Sequence, residues 1–191
     1  MSKGKQRGKM WPSHLEIDFT MPVPLSCGWA SVILSDGMVV AVEWERTKVQ
    51  LGKAIGKKYP TGCEIAVNLN APGRILRDYS EGKVISTRDV SSLPIAWEMI
   101  PGFQGRVLRE TAGIPYGETV TYGEIAAGVG SPGAARAVGA ALARNPWPIL
   151  VPCHRVLGKG GGLVGFGKGI DAKEALLEFE ERNFRRLKVA Q

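Results

Sequence analysis

Thr121-Tyr122-Gly123-Glu124, then Ile125-Ala126-Ala127, the turn Gly128-Val129-Gly130, and Ser131-Pro132 leading into a run that ends near Arg144 form the stretch that decides how the second half of this chain folds. The first four residues have capping-box spacing, in which a threonine side chain and a glutamate three positions on satisfy each other's backbone N–H groups. A short helix through about Ala127 is therefore predicted. Ser131 reads as the N-cap of a second helix, with Pro132 at the first helical position, where a missing N–H is harmless. That helix runs to about Arg144, with Ala135, Val138, Gly139 and Leu142 on one face. Two helices joined by a glycine turn make a helix-turn-helix candidate, and a plain αα-corner fits the spacing as well. On the other face Gly133, Ala134, Ala137, Ala140 and Ala141 are small, and Arg136 is the one long polar side chain. A sequence-specific reader needs several side chains that match base edges. This face instead suits close, largely sequence-independent docking, with Arg136 as a single probe.

Downstream, Asn145-Pro146-Trp147-Pro148 leads into Ile149-Leu150-Val151, which reads as a short buried strand or extended segment, and then into Pro152-Cys153-His154-Arg155-Val156. The chain has two histidines, and one directly follows a cysteine. A free thiol has a pKa near ~8.5, so a cysteine that does chemistry needs a base or a positive neighbour. The alternative is a buried, inert cysteine beside an incidental histidine. Further on, Asp171-Ala172-Lys173-Glu174 again has capping-box spacing and predicts a C-terminal helix carrying Glu178, Glu180 and Glu181.

Composition narrows the classes of function. At 191 residues, 44% hydrophobic and 23% charged, the chain suits a globular protein of one large or two small domains. No run approaches the ~18 apolar residues of a membrane span, and the basic N-terminus lacks the apolar core of a secretory signal. Cys27, Cys63 and Cys153 are odd in number and widely spaced, which fits a reducing cytoplasm better than a disulfide framework. With no C-x-x-C and only His14 to spare, a zinc site is not expected. The net charge is +7. Lys3, Lys5, Arg7 and Lys9 form a basic tail, and Ile125 to Ile170 carries Arg136, Arg144, Arg155, Lys159 and Lys168 with no acidic residue. Such a span suits a surface that faces a polyanion.

The first half reads as a separate α/β scaffold without recognisable chemistry. Gly28–Leu34 and Met38–Trp44 are strand-like around the Ser35-Asp36-Gly37 turn, which predicts a β-hairpin. Thr47 to Tyr59 predicts a helix, Cys63 to Leu69 a strand, and Asn70 to Pro94 a loop with a little strand at Val84-Ile85. The expected organisation is a basic tail over 1–10, a scaffold domain over 11–95 and a C-terminal domain over 96–191.

Ala134-Ala135-Arg136-Ala137-Val138-Gly139, Asn145-Pro146-Trp147-Pro148, Pro152-Cys153-His154-Arg155-Val156, Gly165-Phe166-Gly167 and Lys173-Glu174-Ala175-Leu176-Leu177 occur in one order and spacing. Over residues 100–181 the chain thereby resembles the O6-alkylguanine-DNA alkyltransferase family. The resemblance implies an RNase H-like α/β N-terminal domain and a mainly α C-terminal domain with a winged-helix-like helix-turn-helix. It implies direct repair of double-stranded DNA containing O6-alkylguanine, with O4 of thymine as a further substrate, by irreversible single-turnover transfer of the alkyl group to Cys153. It also implies no cofactor and no metal, no membrane, a monomer, and a cytoplasmic setting, nucleoid-associated in a prokaryote and nuclear in a eukaryote.

The same resemblance assigns roles. Cys153 would be the nucleophile, His154 its base through a water, Glu180 the carboxylate that orients the histidine, and Asn145 the residue holding the active-site turn. Glu178 and Glu181 leave open an acidic helix face with no catalytic member. Arg136, Tyr122, Ala134, Ala135 and Ser131 would meet DNA. Tyr122, Pro148, Trp147, Val156, Gly165, Phe166 and Gly167 would surround the flipped base, with Tyr122 donating its hydroxyl to it. Flipping follows from need, since a stacked duplex hides the alkylated oxygen from a buried thiol. Arg136 would fill the vacated space, or else contact a phosphate. Phe166 stands where the family often has tyrosine, which keeps a stacking role and removes a hydroxyl one. A cysteine hydrolase, a non-catalytic damage binder and a simple DNA-binding regulator are the competing classes. The presence of Cys153 counts against the binder, and the poor base-reading face counts against the regulator.

Overall fold

A computed structural model describes residues 17–20, 22–59, 64–66 and 71–189. The basic tail, His14, Cys63 and most of the strand expected around it lie outside the described residues.

The predicted hairpin organises the N-terminal part. Strand β3 (Gly28–Ser35) pairs antiparallel with β4 (Met38–Glu45) through a two-residue turn. Asp36 and Gly37 both have positive φ, 48° and 75°, the backbone whose twist matches a tight hairpin. On the other edge of β3, β1 (Ile17–Thr20) and β2 (Val23–Leu25) pair antiparallel with its two ends, and β5 (Glu64–Ala66) runs parallel to β1. Helix α1 (Lys48–Lys58), capped at Thr47 by a capping box with Gln50, covers one face. There Leu51, Ile55 and Tyr59 pack on Ile17, Ile33, Val40 and Ala41. The opposite face, through Val32, Leu34, Val42 and Trp44, belongs to one apolar core shared with the second half, which includes Val107, Val138, Trp147 and Leu176.

The expected loop over 70–94 is largely helical instead: α2 spans Ala71–Ser80 and α3 spans Thr87–Ser91. Pro72 and Gly73 read as breakers, yet proline is tolerated in a helix's first turn. Leu76 and Tyr79 then bury a helical stripe, and this burial decides the conformation. Ser86 and Asp89 form a reciprocal cap that starts α3. Val84-Ile85 is not a strand. The free edge of β4 is closed by the chain that follows: Val39 N–H donates to the Pro94 carbonyl and Ala96 N–H to the Val39 carbonyl. Farther along, Val42 N–H donates to the Pro146 carbonyl at 2.8 Å, which fastens the sheet edge to the segment leading to Cys153.

The second half is helical, as expected. Helix α4 (Gly102–Ala112) packs on α5 (Tyr122–Gly128) and α6 (Ala135–Leu142). The capping box at Thr121 and Glu124 is formed. Helix α6 departs from its expected start, however. Gly133 has φ 88°, outside the right-handed helical region, so Ser131-Pro132 forms a separate turn and the helix begins at Ala135 after Ala134. Ala141 is buried with Val138 and Leu142 and does not belong to the outward face. Ile149-Leu150-Val151 is a turn and not a strand, because Ile149 takes φ 73° and Val151 N–H closes back on the Trp147 carbonyl. A β-branched residue there stores roughly 1–3 kcal/mol of strain, which tertiary packing must hold. Helix α7 (Ile170–Val189) starts ahead of Asp171, which lies inside its first turn, and Gly169 precedes it at φ 95°. No described helix is long and apolar enough to cross a membrane.

Candidate active site

Cys153, His154 and Arg155 form one turn of 3₁₀-helix, and Val156-Leu157 continues as strand β7, parallel to β6 (Val120–Thr121). That pairing fixes the end of the cysteine segment beside the start of α5. Its beginning is fixed by Asn145. The Asn145 carboxamide donates to the Val151 carbonyl at 2.8 Å and to Cys153 Sγ at 3.3 Å, and its oxygen accepts from Trp147 N–H at 2.9 Å. One side chain thus spans the strained turn and touches the thiol.

Behind the cysteine, α7 presents Lys173, Leu176 and Glu180 on one buried face. Glu178 and Glu181 are exposed, and Glu181 pairs with Arg185, so the acidic face and the buried carboxylate are different groups. His154 Nε2 lies 2.7 Å from Glu180 Oε1, and both residues are almost fully buried. His154 Nδ1 is buried with no hydrogen-bond partner among the described residues. Arg155 donates from Nε to Glu180 Oε2 at 2.8 Å and from Nη2 to Oε1 at 2.9 Å, and its Nη1 reaches the Ile114 carbonyl. Tyr79, from α2, donates its hydroxyl to Glu180 Oε1 at 3.0 Å, and Gly117 N–H approaches Oε2 at 3.3 Å.

The electrostatics follow from burial against this network. Burial alone would raise the Glu180 pKa, but the His154 and Arg155 partners hold it down at about 2. Burial lowers the His154 pKa. Glu180 opposes that shift, and the cations of Arg155 and Lys173 reinforce it, so the resting imidazole is neutral near pH 7. Burial raises the Cys153 pKa, countered in part by the Asn145 hydrogen bond and by Lys173. Lys173 Nζ donates to the Val156 and Val164 carbonyls and sits 5.5 Å from the centre of the Tyr122 ring. The resting site therefore holds a thiol, a neutral base and an ionised acid.

An apolar groove of about 880 Å³ lies between α5, α6 and the loop before α7; Cys153 is buried and does not itself line it, and Tyr122 connects the two. Tyr122, Ala135, Arg136, Gly165, Phe166 and Gly167 line it, together with Lys159 and Val164. Tyr122 donates its hydroxyl to the Val164 and Gly165 carbonyls at 3.0 and 3.2 Å, and Phe166 packs its ring on Trp44 of β4. Ser131 and Ala134 flank α6 half-buried, and Pro148 is half-buried on the Asn145 turn. Neither Pro148 nor the pair Trp147 and Val156 lines the groove. Trp147 and Val156 are fully buried, and the Trp147 indole donates to the Val39 carbonyl inside the core. The acid-free span also needs correction as a charged surface: Arg155 is buried on Glu180, and Lys168 pairs with Glu45 at 3.1 Å. Arg136, Arg144 and Lys159 remain exposed.

The sequence reading passed over three of these groups. Tyr79 lay in the presumed loop, Arg155 was counted as surface, and Lys173 was quoted only as part of a motif. Spacing held a signal for Lys173 and Glu180, which sit seven residues apart with Leu176 between them on one helical stripe.

The fold and site together define a cysteine protein in which a buried thiol, histidine and carboxylate lie next to a groove flanked by two short helices, with Tyr122 shared between the two. Residues 102–182 match the family model described as 6-O-methylguanine DNA methyltransferase, DNA binding domain. The methylated-DNA–protein-cysteine methyltransferase of Mycolicibacterium paratuberculosis is 58% identical over 81 residues, which are 42% of this chain and 49% of that one. The chain thus spans about half the length of that relative. The protein of the same name from Methanosarcina barkeri is 47% identical over 112 residues, 59% of this chain and 68% of that one. Among solved structures, Mycobacterium tuberculosis OGT in complex with DNA superposes with a TM-score of 0.70 at 31% identity, covering 87% of this chain and 94% of that one. The chain belongs to the O6-methylguanine-DNA methyltransferase family.

Proposed function

We propose that this protein repairs DNA directly by moving the alkyl group from O6 of guanine, and from O4 of thymine, onto Cys153. The observation that carries the reading is the His154 Nε2–Glu180 contact of 2.7 Å beside Cys153, with Nδ1 left over to act as the base. A water between the thiol and Nδ1 relays the thiol proton to His154. Sγ then attacks the alkyl carbon, the carbon–O6 bond breaks, and its electron pair stays on the oxygen. Tyr122 releases the Val164 and Gly165 carbonyls and donates its hydroxyl to the departing guanine. Gly165, Phe166 and Gly167 wall the extruded base, and Pro148 borders it. Ser131, Ala134 and Ala135 approach the duplex. No cofactor enters, because the thiol itself ends as a thioether.

The N-terminal part, over 11–95, is read as an RNase H-like domain, supported by a mixed sheet in which β1 pairs antiparallel with β3 of the hairpin and parallel with β5. The part over 96–191 is read as a winged-helix-like DNA-binding domain acting as a monomer in the cytoplasm or nucleus. Incubation with duplex DNA carrying one O6-methylguanine should add one methyl to the intact protein, with substrate consumed one for one. Consumption of substrate well beyond the protein present would overturn the thioether end point and favour a hydrolase.

Arg136, exposed at the groove beside the first turn of α6, is read as the side chain that fills the space left by the flipped base. Flipping costs a few kcal/mol, on the order of what one inserted side chain offsets. Arg136→Ala should therefore slow repair in paired duplex far more than in single strands, and a mismatch opposite the lesion should recover part of the loss. A phosphate contact would instead cost all substrates equally and reduce the salt slope by roughly one unit. Rates on paired, mispaired and single-stranded lesions across a salt series separate the two.

A further inference from the structure

We propose that Tyr79, a residue of the N-terminal part, is a positioning residue for the transfer site: its hydroxyl holds Glu180 Oε1 and limits how strongly that oxygen draws on His154. This proposal rests on the reading of Cys153, His154 and Glu180 given above. Tyr79 is 1% exposed, and its ring is packed against Tyr116, His154 and Phe179 at centroid distances of 6.0, 6.5 and 5.6 Å. Held on these sides, the ring delivers its hydroxyl to one place, Glu180 Oε1 at 3.0 Å.

Glu180 accepts from five donors: His154 Nε2, Tyr79 Oη and Arg155 Nη2 on Oε1, and Arg155 Nε and Gly117 N–H on Oε2. A carboxylate offers about four lone-pair sites, so three donors on Oε1 share its electron density. Tyr79 is a lasting member of the set, because burial and the nearby Glu180 charge push its own pKa well above the ordinary value. Without that hydroxyl, Oε1 would become the stronger acceptor for His154. The charged and titratable groups facing His154 are Glu180 and Lys173 from α7, Arg155 and Cys153 from its own turn, and Tyr79 from α2, with Tyr116 beside Tyr79. Arg155 and Lys173 keep their places when Tyr79 loses only its oxygen. The sign follows: a freer carboxylate favours imidazolium, raises the His154 pKa, and removes the neutral base at a higher pH.

Tyr79→Phe keeps the ring and deletes the donor. Deleting the donor also loosens the hold on Glu180 Oε1 and so the orientation of the His154 ring, and this loss should outweigh the stronger base: methyl transfer at neutral pH should slow by about tenfold, the order of one lost hydrogen bond to a charged group. The acid limb of the rate profile should move upward in pH. The His154 ring protons should titrate at a higher pH in the variant, with His14→Gln used to assign the two histidines by NMR. In a Glu180→Gln background, Tyr79→Phe should cost much less than in the parental protein. Equal rates and equal His154 titration in parental and Tyr79→Phe protein would overturn the proposal, as would an equal cost in both Glu180 backgrounds. Failure of the parental protein to accept methyl would sink the functional reading instead, and the NMR titration would still report on the Tyr79–Glu180–His154 contact.

Discussion

Cys153→Ser should leave a folded, DNA-binding protein that accepts no methyl at all. Cys153 is 7% exposed, and among the described residues the side-chain partner of its Sγ is the Asn145 carboxamide, a donor that a serine oxygen can equally accept from. The exchange therefore removes little packing and keeps the Asn145 donor paired, and the serine O–H can donate to the same relay water as the thiol, so stability should change by about 1 kcal/mol. The chemistry is different. Burial already raises the Cys153 thiol pKa, so the proposed transfer requires transient proton removal by His154 at the moment of attack. A hydroxyl is a far weaker acid than a thiol and its oxygen a much poorer nucleophile toward an alkyl carbon, so a histidine whose pKa burial has lowered activates it far less. Intact mass after incubation with O6-methylguanine duplex should be unchanged, while the lesion persists in the DNA. The melting temperature and the affinity for undamaged duplex should match the parental values. A methylated Cys153→Ser chain, or one methylated on Cys27, would place the acceptor elsewhere.

What sequence could and could not disclose divides along a physical line. The hairpin around Asp36-Gly37, the helix from Thr47, the cap at Thr121 and the order of helices in the second half depend on local chemistry, and each is legible. Misreadings arose where tertiary contacts overrode local signals. The span Asn70 to Pro94 has the glycine, serine and proline content of a loop, yet Leu76 and Tyr79 find a core to fill and make part of it helix. Ile149-Leu150-Val151 has strand composition, yet Asn145 ties it into a turn. Ser131-Pro132 has the chemistry of a helix start, and the left-handed Gly133 moves that start to Ala135. At the site, motif order pointed to Cys153, His154, Asn145 and Glu180. Nothing local, however, links a tyrosine at 79 to a glutamate at 180. The same limit applied to Arg155, whose charge suggested DNA and whose partner is the buried carboxylate. The scaffold half is thus also a supplier of one hydrogen bond to the site.

Glu180→Ala should be the most destabilising single change in the site. The carboxylate is 1% exposed and is the shared acceptor for His154, Tyr79 and both inward-facing nitrogens of Arg155. Removing it leaves the Arg155 guanidinium buried with the Ile114 carbonyl as its one hydrogen-bond acceptor among the described residues, beside the Tyr116 ring, and breaking a buried pair in this way costs about 3–5 kcal/mol. Glu180→Gln retains the shape but not the charge and should lose less stability. Even so, methyl transfer should fall by about 10²–10⁴-fold, the usual worth of a positioned proton transfer, because the imidazole loses the anion that stabilises its protonated form. Acid should reproduce part of the effect in the parental protein. The Glu180 pKa is depressed to about 2 from an ordinary value of 4.5, so its stabilisation is present in full above pH 4.5 and is lost as pH falls toward 2. Denaturant midpoints measured from pH 7 to pH 2 should therefore fall more steeply below pH 4.5 in the parental protein than in Glu180→Gln, which has no such proton to take up. Parallel curves, or a Glu180→Gln protein that transfers methyl at the parental rate, would remove Glu180 from the mechanism and leave Arg155 as a structural cation alone.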